Sequence, residues 1–243
     1  MHGLHFSRAP IIEAIINLEV ALPESAHDPV RSLGSLVSPE YPEAKDVVEM
    51  TAEMRPGQEP QGSFKSATIG VMYRSTAVPQ LFQSRINGFS FHRLAPYESW
   101  EPFRDEAKRL WNLYRSATGV HPVKQYAVRY INRLEIPAGQ ELSKFFQTYP
   151  EVAKGLPQTL SGYLMRLEMP LNDSPGGALV LQENLVPSDK QGMVGVLLDI
   201  EFRYPVKQGT SDEDLWSLIE SVREVKNRTF VDCLTSRMQE MIL

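Results

Sequence analysis

The chain carries a single cysteine, Cys233, in 243 residues, so no intramolecular disulfide can staple it. That scarcity suits a reducing, cytoplasmic setting. Positive charge is not in surplus: 25 Lys and Arg against 30 Asp and Glu leave a formal charge of −5. Sequence-blind nucleic-acid binding through net charge is therefore not expected. No apolar run approaches the ~18–20 residues of a membrane span, and no basic-then-apolar export signal opens the sequence, so no membrane role is expected. The glycine-based signatures are missing as well. There is no Gly-x-Gly-x-x-Gly, no phosphate loop ending in Lys-Ser/Thr and no Gly-x-Ser-x-Gly elbow. His2, His5, His27, His92 and His121 are scattered without paired helical spacing, which suggests no zinc site. No cofactor, no metal and no catalytic residue is nominated on these grounds.

What is present is an ordinary globular profile, 42% hydrophobic and 23% charged. A chain of this length buries roughly 70–75% of the surface it exposes when unfolded, so its core can suffice without metal or disulfide. Ile- and Val-rich residues between Pro10 and Pro23 read as a strand, and Val30, Leu33, Leu36 and Val37 recur at helical spacing. Ser38–Ser66, with four prolines and two glycines, carries no assignable pattern. Thr68–Arg74 is strand-like. Leu81–Ile86 and Phe89–Leu94 flank Asn87-Gly88, a pair suited to both positive-φ positions of a type I′ hairpin turn. Ser99 is placed to cap a helix whose apolar stripe is Trp100, Phe103, Ala107, Leu110, Trp111 and Tyr114, with Gly119 as its stop.

After Pro122 a strand is expected over Lys124–Ile136, then a short helix near Leu142–Phe146. Strands follow over Tyr163–Met169, Ala178–Val186 and Val194–Tyr204, and a long helix from Asp212 to Met238 closes the chain. Ser211 and Asp214 form a variant capping box for that helix, and Asp212, Glu213 and Asp214 favour the positive end of its dipole. Its stripe reads Leu215, Leu218, Ile219, Val222, Val225, Phe230, Leu234 and Met238.

The two halves, 1–122 and 123–243, thus run in the same order. The expectation is an α+β fold of two pseudo-repeated βαβββα units, one compact domain by duplication, with an antiparallel sheet and the long helices on one face. That order resembles the saddle-like fold of the TATA-binding protein family and the helix-grip lipid-binding folds, a likeness of fold that assigns no function.

Alternation within the second-half strands gives the chief chemical signal. Tyr126, Val128, Tyr130, Leu134 and Ile136 share one face of their strand, and Arg129, Arg133 and Glu135 share the other. Val194, Val196, Leu198, Ile200 and Phe202 likewise alternate with Asp199, Glu201 and Arg203, while Arg166 and Glu168 alternate with Met165, Leu167 and Met169. One sheet face therefore carries Arg129, Arg133, Arg166, Glu168, Asp199, Glu201 and Arg203. Two readings stay open. The face is solvated, with ion pairs worth up to about 1 kcal/mol each, or it receives a ligand or partner, since the arginine fork suits carboxylate, phosphate or an acidic protein surface. The aromatics among these arginines alternate onto the apolar face, which with the net acidity disfavours nucleic acid. Cys233, inside the last helix, reads as a buried inert thiol.

The early Pro10-Ile-Ile-Glu-Ala strand, Trp100 through Phe103, the Arg129-Tyr130-Ile131-Asn132-Arg133 block and the tail with Asn227, Phe230 and Thr235 form a set. It resembles a sporadically distributed, biochemically uncharacterised family of bacterial proteins of similar length. The patchy distribution of such a family implies horizontal movement, as with toxin–antitoxin or phage-defence genes. The expected function is thus non-catalytic binding of a protein partner, as the antitoxin or sensing component of such a pair. A homodimer and a small anionic ligand are the alternative occupants. The alternatives from other classes are a metal-dependent nucleotide or triphosphate hydrolase using Glu168, Asp199 and Glu201, and a carrier of an apolar ligand in a cavity between the sheet and the long helix, beneath Leu215–Met238.

Overall fold

The computed structural model describes residues 9–23, 26–53 and 63–243. His2, His5 and the 54–62 part of the Ser38–Ser66 segment lie outside the described residues. In chain order the elements are β1 (Ile11–Glu19), α1 (His27–Val37), β2 (Glu43–Glu53), β3 (Ser63–Arg74), β4 (Gln80–Arg85), β5 (Gly88–Leu94) and α2 (Trp100–Thr118). Then come β6 (Gln125–Pro137), β7 (Leu164–Pro170), β8 (Ala178–Val186), β9 (Met193–Pro205), α3 (Asp212–Asp232) and α4 (Ser236–Ile242). The fold is α+β. Its nine strands form one open antiparallel sheet in the order β2-β3-β4-β5-β1-β6-β9-β8-β7. No helix among the described residues is long and apolar enough to cross a membrane.

The core lies between one face of this sheet and the helices. Ala14, Ile16 and Leu18 of β1, Phe89 and Phe91 of β5, Val128 and Tyr130 of β6 and Ile200 and Phe202 of β9 are fully buried there. Each large apolar side chain so buried contributes roughly 1.5–3 kcal/mol. From α2, the stripe Trp100, Phe103, Ala107, Leu110, Trp111 and Tyr114 is buried as its spacing predicts. Phe89 meets Trp111 and Tyr114 at ring distances of 5.8 and 5.9 Å. The acidic start of α3 serves α2 directly: Asp212 accepts from the Trp111 indole N–H at 3.0 Å and pairs with Arg115 at 2.5 Å. Further along, Glu220 Oε2 accepts from Trp100 Nε1 and Arg104 Nη1, each at 2.7 Å.

Four local features differ from the sequence expectation, each for a physical reason. The β4–β5 hairpin forms, but its two-residue loop is Ile86-Asn87, and Gly88 already pairs with Arg85 in the ladder. Asn87 keeps a negative φ, because the loop carbonyls of Asn87 and Ile86 accept from the N–H groups of Val20 and Leu22. Gly88 is needed for space: a Cβ there would stand 2.3 Å from the Leu18 carbonyl oxygen of the adjoining β1. Second, the unassigned stretch supplies β2 and the start of β3, so the first half has five strands where four were expected. Third, the helix expected over Leu142–Phe146 is a single 3-10 turn, Leu142–Lys144.

Fourth, the closing helix is broken. α3 stops at Asp232, and Thr235 starts α4 by accepting from Met238 N at 3.3 Å while its own hydroxyl donates to Lys144 O at 2.8 Å. Leu234 bridges to Phe146 at the break. The Ser211 cap is present, accepting from Asp214 N at 3.1 Å. The buried row of α3 is Leu215, Trp216, Ile219, Val222 and Phe230, whereas Leu218 and Val225 face outward.

One acid sits inside the core. Glu183 of β8 is fully buried, opposite Leu198, and accepts a hydrogen bond from the Tyr163 hydroxyl. Its second oxygen has no partner, and burial pushes its carboxyl up to about 7. Cys233 is buried too, its thiol pushed up to about 12 by loss of water, which keeps it in the unreactive protonated form.

Candidate functional site

The face turned away from the helices begins at β6. Because side chains alternate along a strand, burying Val128, Tyr130 and Leu134 sends Arg129, Ile131 and Arg133 to the other side. Register across the neighbouring strands then gathers the rest. Arg129 lies opposite Glu201, Ile131 opposite Asp199 and Ala127 opposite Arg203. On β8, Gln182 and Val180 stand between Asp199 and Glu201 on one side and Arg166 and Glu168 of β7 on the other. All seven charged residues expected on one face are on it, spread over β6, β9 and β7.

Their charges are spent on one another. Arg129 forks onto Asp199, with Nε at 2.8 Å from Oδ1 and Nη2 at 2.5 Å from Oδ2. Arg203 Nη2 meets Glu201 Oε2 at 2.6 Å, and Arg166 Nη2 meets Glu168 Oε2 at 2.8 Å. Arg133 pairs with Glu135 at 3.0 Å and also donates to the Pro187 carbonyl at 2.7 Å. Four arginines thus face four carboxylates. The hydrogen bonds they donate to Asp199 and Glu201 hold Arg129 and Arg203 above their ordinary range, so both stay charged. Asp199 is itself buried beneath its partner, as are Ala127 and Val180 of the same face. The ion pairs expected on this face are therefore present, Arg129–Asp199 between strands and the other three each within one strand. Glu168, Asp199 and Glu201 are each tied to an arginine, and among the described residues no three His, Cys, Asp or Glu side chains are placed to hold a metal ion.

The polar face continues into the first half, which the sequence reading left out. Ile15 of β1 lies between Arg129 and His92 in register, and Glu13 beside it accepts from His92 Nδ1 at 2.7 Å. His92 Nε2 stands 2.9 Å from Ser90 Oγ, so the imidazole is held at both nitrogens. The His92 contact outweighs burial and draws the Glu13 carboxyl below its ordinary range. Arg85 of β4 donates to Asn17 Oδ1 at 2.8 Å, and loss of water lowers its guanidinium. The signal was available in β1, whose alternation sets Glu13 and Asn17 against Ala14, Ile16 and Leu18.

A second concentration of polar groups, on the helical side of β6, was missed entirely. Tyr130 and Asn132, the two inward members of the Arg129–Arg133 block, line a pocket with Lys226 and Arg223 of α3 and Tyr97 and Trp100 at the start of α2. Asn132 is buried, its amide donating to the carbonyls of Leu198 at 3.1 Å and Tyr130 at 3.3 Å. The sequence signal was a lysine in the row Leu215, Ile219, Val222, Lys226 and Phe230, where every other member is apolar. Comparison of the chain with family models, with characterised proteins and with solved structures finds no match.

Proposed function

We propose that the protein works by binding, and that the helix-free sheet face around Arg129, Arg133 and Arg203 receives a protein partner. The observation that supports this most is the ion-paired lattice itself. Each arginine is held in one orientation by a carboxylate, so little side-chain freedom remains to be lost on docking. Each arginine side chain also stays partly exposed, within reach of a partner's carboxylates. Alternating sign over β6, β9 and β7 selects a partner by charge pattern and does not attract polyanions in general, in keeping with the net charge of −5.

The finer architecture belongs to the same proposal. β1 and β6 pair at the centre, β5 and β9 flank them, and β4 and β8 come next. We read this as a duplicated βαβββα unit of saddle-like form, with β2 added at the edge, α2 over the first half and α3 over the second. A cytoplasmic bacterial protein so built suits the neutralising or sensing part of a toxin–antitoxin or phage-defence pair.

The test is co-purification from host cells, comparing tagged wild type with Arg129→Ala/Arg133→Ala and using thermal melting as the check on folding. Loss of one defined partner from a variant that still melts cooperatively supports the reading. Equal capture by the two proteins overturns it, and so does a wild type that brings down only copies of itself.

A further inference from the structure

The pocket on the helical side of β6 has a volume of about 190 Å³. A dry cavity of about 150 Å³ is enough to take benzene, so this one accommodates a ring-sized body. Ile11, Trp100, Ile200 and Phe230 supply apolar wall. Its polar lining includes Lys226, Arg223, Asn132, Asn227 and the phenols of Tyr97 and Tyr130, whose oxygens lie 3.3 Å apart. Burial keeps both phenols protonated, Tyr97 pushed up to about 12 and Tyr130 well above its ordinary value. Neither offers negative charge.

Lys226 is the anomaly. Its ammonium stands 3.9 Å from the centre of the Tyr130 ring, and among the described residues no carboxylate comes within 4.0 Å of it. Two of the nearby acids are committed elsewhere. Glu101 is bound to Arg223 at 2.7 Å, and Glu220 holds Trp100 and Arg104. Glu98 is exposed at the rim. Arg223 adds positive charge to the wall, and α2 begins there at Ser99, whose side chain makes no capping bond. Loss of water pulls the Lys226 amine down to about 7, as expected for a cation without an anion.

We propose that this pocket binds a small monocarboxylate with an apolar, ring-sized body, the carboxylate meeting Lys226 and the body lying against Trp100, Ile11 and Phe230. Size favours one ring over a nucleotide. Charge favours a single negative charge over a phosphate dianion, because among the described residues Lys226 is the one pocket cation without a carboxylate partner and a second buried charge would go uncompensated. The site is separate from the sheet face, since Tyr130 and Arg129 project from opposite sides of the same strand.

Calorimetry and thermal shift with benzoate, phenylacetate and hexanoate, each against its neutral primary amide, test this. The acids are expected to bind and raise the melting temperature, and the amides to do neither. Lys226→Met, which keeps an unbranched side chain one atom shorter and drops the charge, is expected to lose roughly tenfold or more in affinity for the acids. Arg129→Ala, on the far face, is expected to bind them as wild type does. No binding by any of the three acids overturns the proposal. Equal binding of acid and amide, or undiminished binding by a folded Lys226→Met, also overturns it. Should Lys226→Met fail to fold, wild type labelled at lysine with an amine reagent decides: benzoate is expected to protect Lys226, and unchanged labelling refutes the site.

Discussion

Glu183→Gln separates the cost of ionising a buried acid from every other consequence of changing it. In the folded protein the Glu183 carboxyl titrates near 7, against an ordinary value of 4.5, because burial penalises its charged form. The fold therefore holds a proton between pH 4.5 and 7 that the unfolded chain has released. With the folded value raised, stability is greatest below pH 4.5, falls as pH rises through this window and is level above 7. At 1.36 kcal/mol per unit, the full loss is about 3 kcal/mol, of which about 2 to 3 kcal/mol falls between pH 5 and pH 8. The introduced amide would keep the oxygen that accepts from Tyr163 and would add an N–H₂ without an acceptor, a penalty of roughly 1–3 kcal/mol that does not change with pH. The assay is urea unfolding of both proteins at pH 5, 6, 7 and 8. The stability of the variant relative to wild type is expected to rise by about 2 to 3 kcal/mol across that range, whatever its starting value. A difference that stays constant with pH would refute the reasoning.

Three further outcomes follow from the packing. Gly70→Ala is expected to melt well below wild type, because its Cβ would stand 2.1 Å from the Ser84 carbonyl oxygen and 2.7 Å from Arg85 Cα, both backbone. Hydrogen exchange should then locate the loss at the β3–β4 ladder. Ser211→Ala removes the cap of α3 and is expected to cost about 1 kcal/mol in denaturant unfolding, with exchange accelerated in the first turn. Asp199→Ala leaves Arg129 without its fork and is expected to lose about 1–3 kcal/mol. Arg129→Ala/Asp199→Ala should recover part of that loss, and strict additivity of the two single changes would show the pair to be uncoupled.

Strand alternation made the second half readable. In β6 and β9 the apolar residues must face the helices, so Arg129, Arg133, Asp199, Glu201 and Arg203 had only one side left to occupy. The Arg129–Asp199 pair was not readable, because it depends on register between β6 and β9; the other three pairs join residues two apart on one strand. β2 was hidden for a different reason. As an edge strand it pairs on one side only, and Val48 and Met50 lie exposed, so neither face needs the apolar alternation that marks a strand. Lys226 was overlooked because an apolar stripe is found by collecting apolar residues, and the one charged residue in the row drops out of the count. Glu183 escaped because no alternation was drawn for Ala178–Val186, where its neighbours Gln182 and Asn184 leave it the inward side. The break after Asp232 depends on Thr235 reaching Lys144, a contact across most of the second half.

Among the described residues, the pairing of β1 with β6 is the only ladder joining the two halves of the sheet. Each of these strands has the other as one of its two neighbours, and neither has a lysine, or a proline before the last residue of β6, to discourage a stranger. Natural edge strands are usually guarded by such residues. A chain cut near Pro122 would therefore bare two long, adhesive edges at once. Each half is expected to seek a substitute, most readily the same half of another molecule. Sedimentation of the separately expressed halves should show self-association, and mixing them should restore the one-to-one species. The central seam makes the halves mutual chaperones: each conceals the surface on which the other would aggregate.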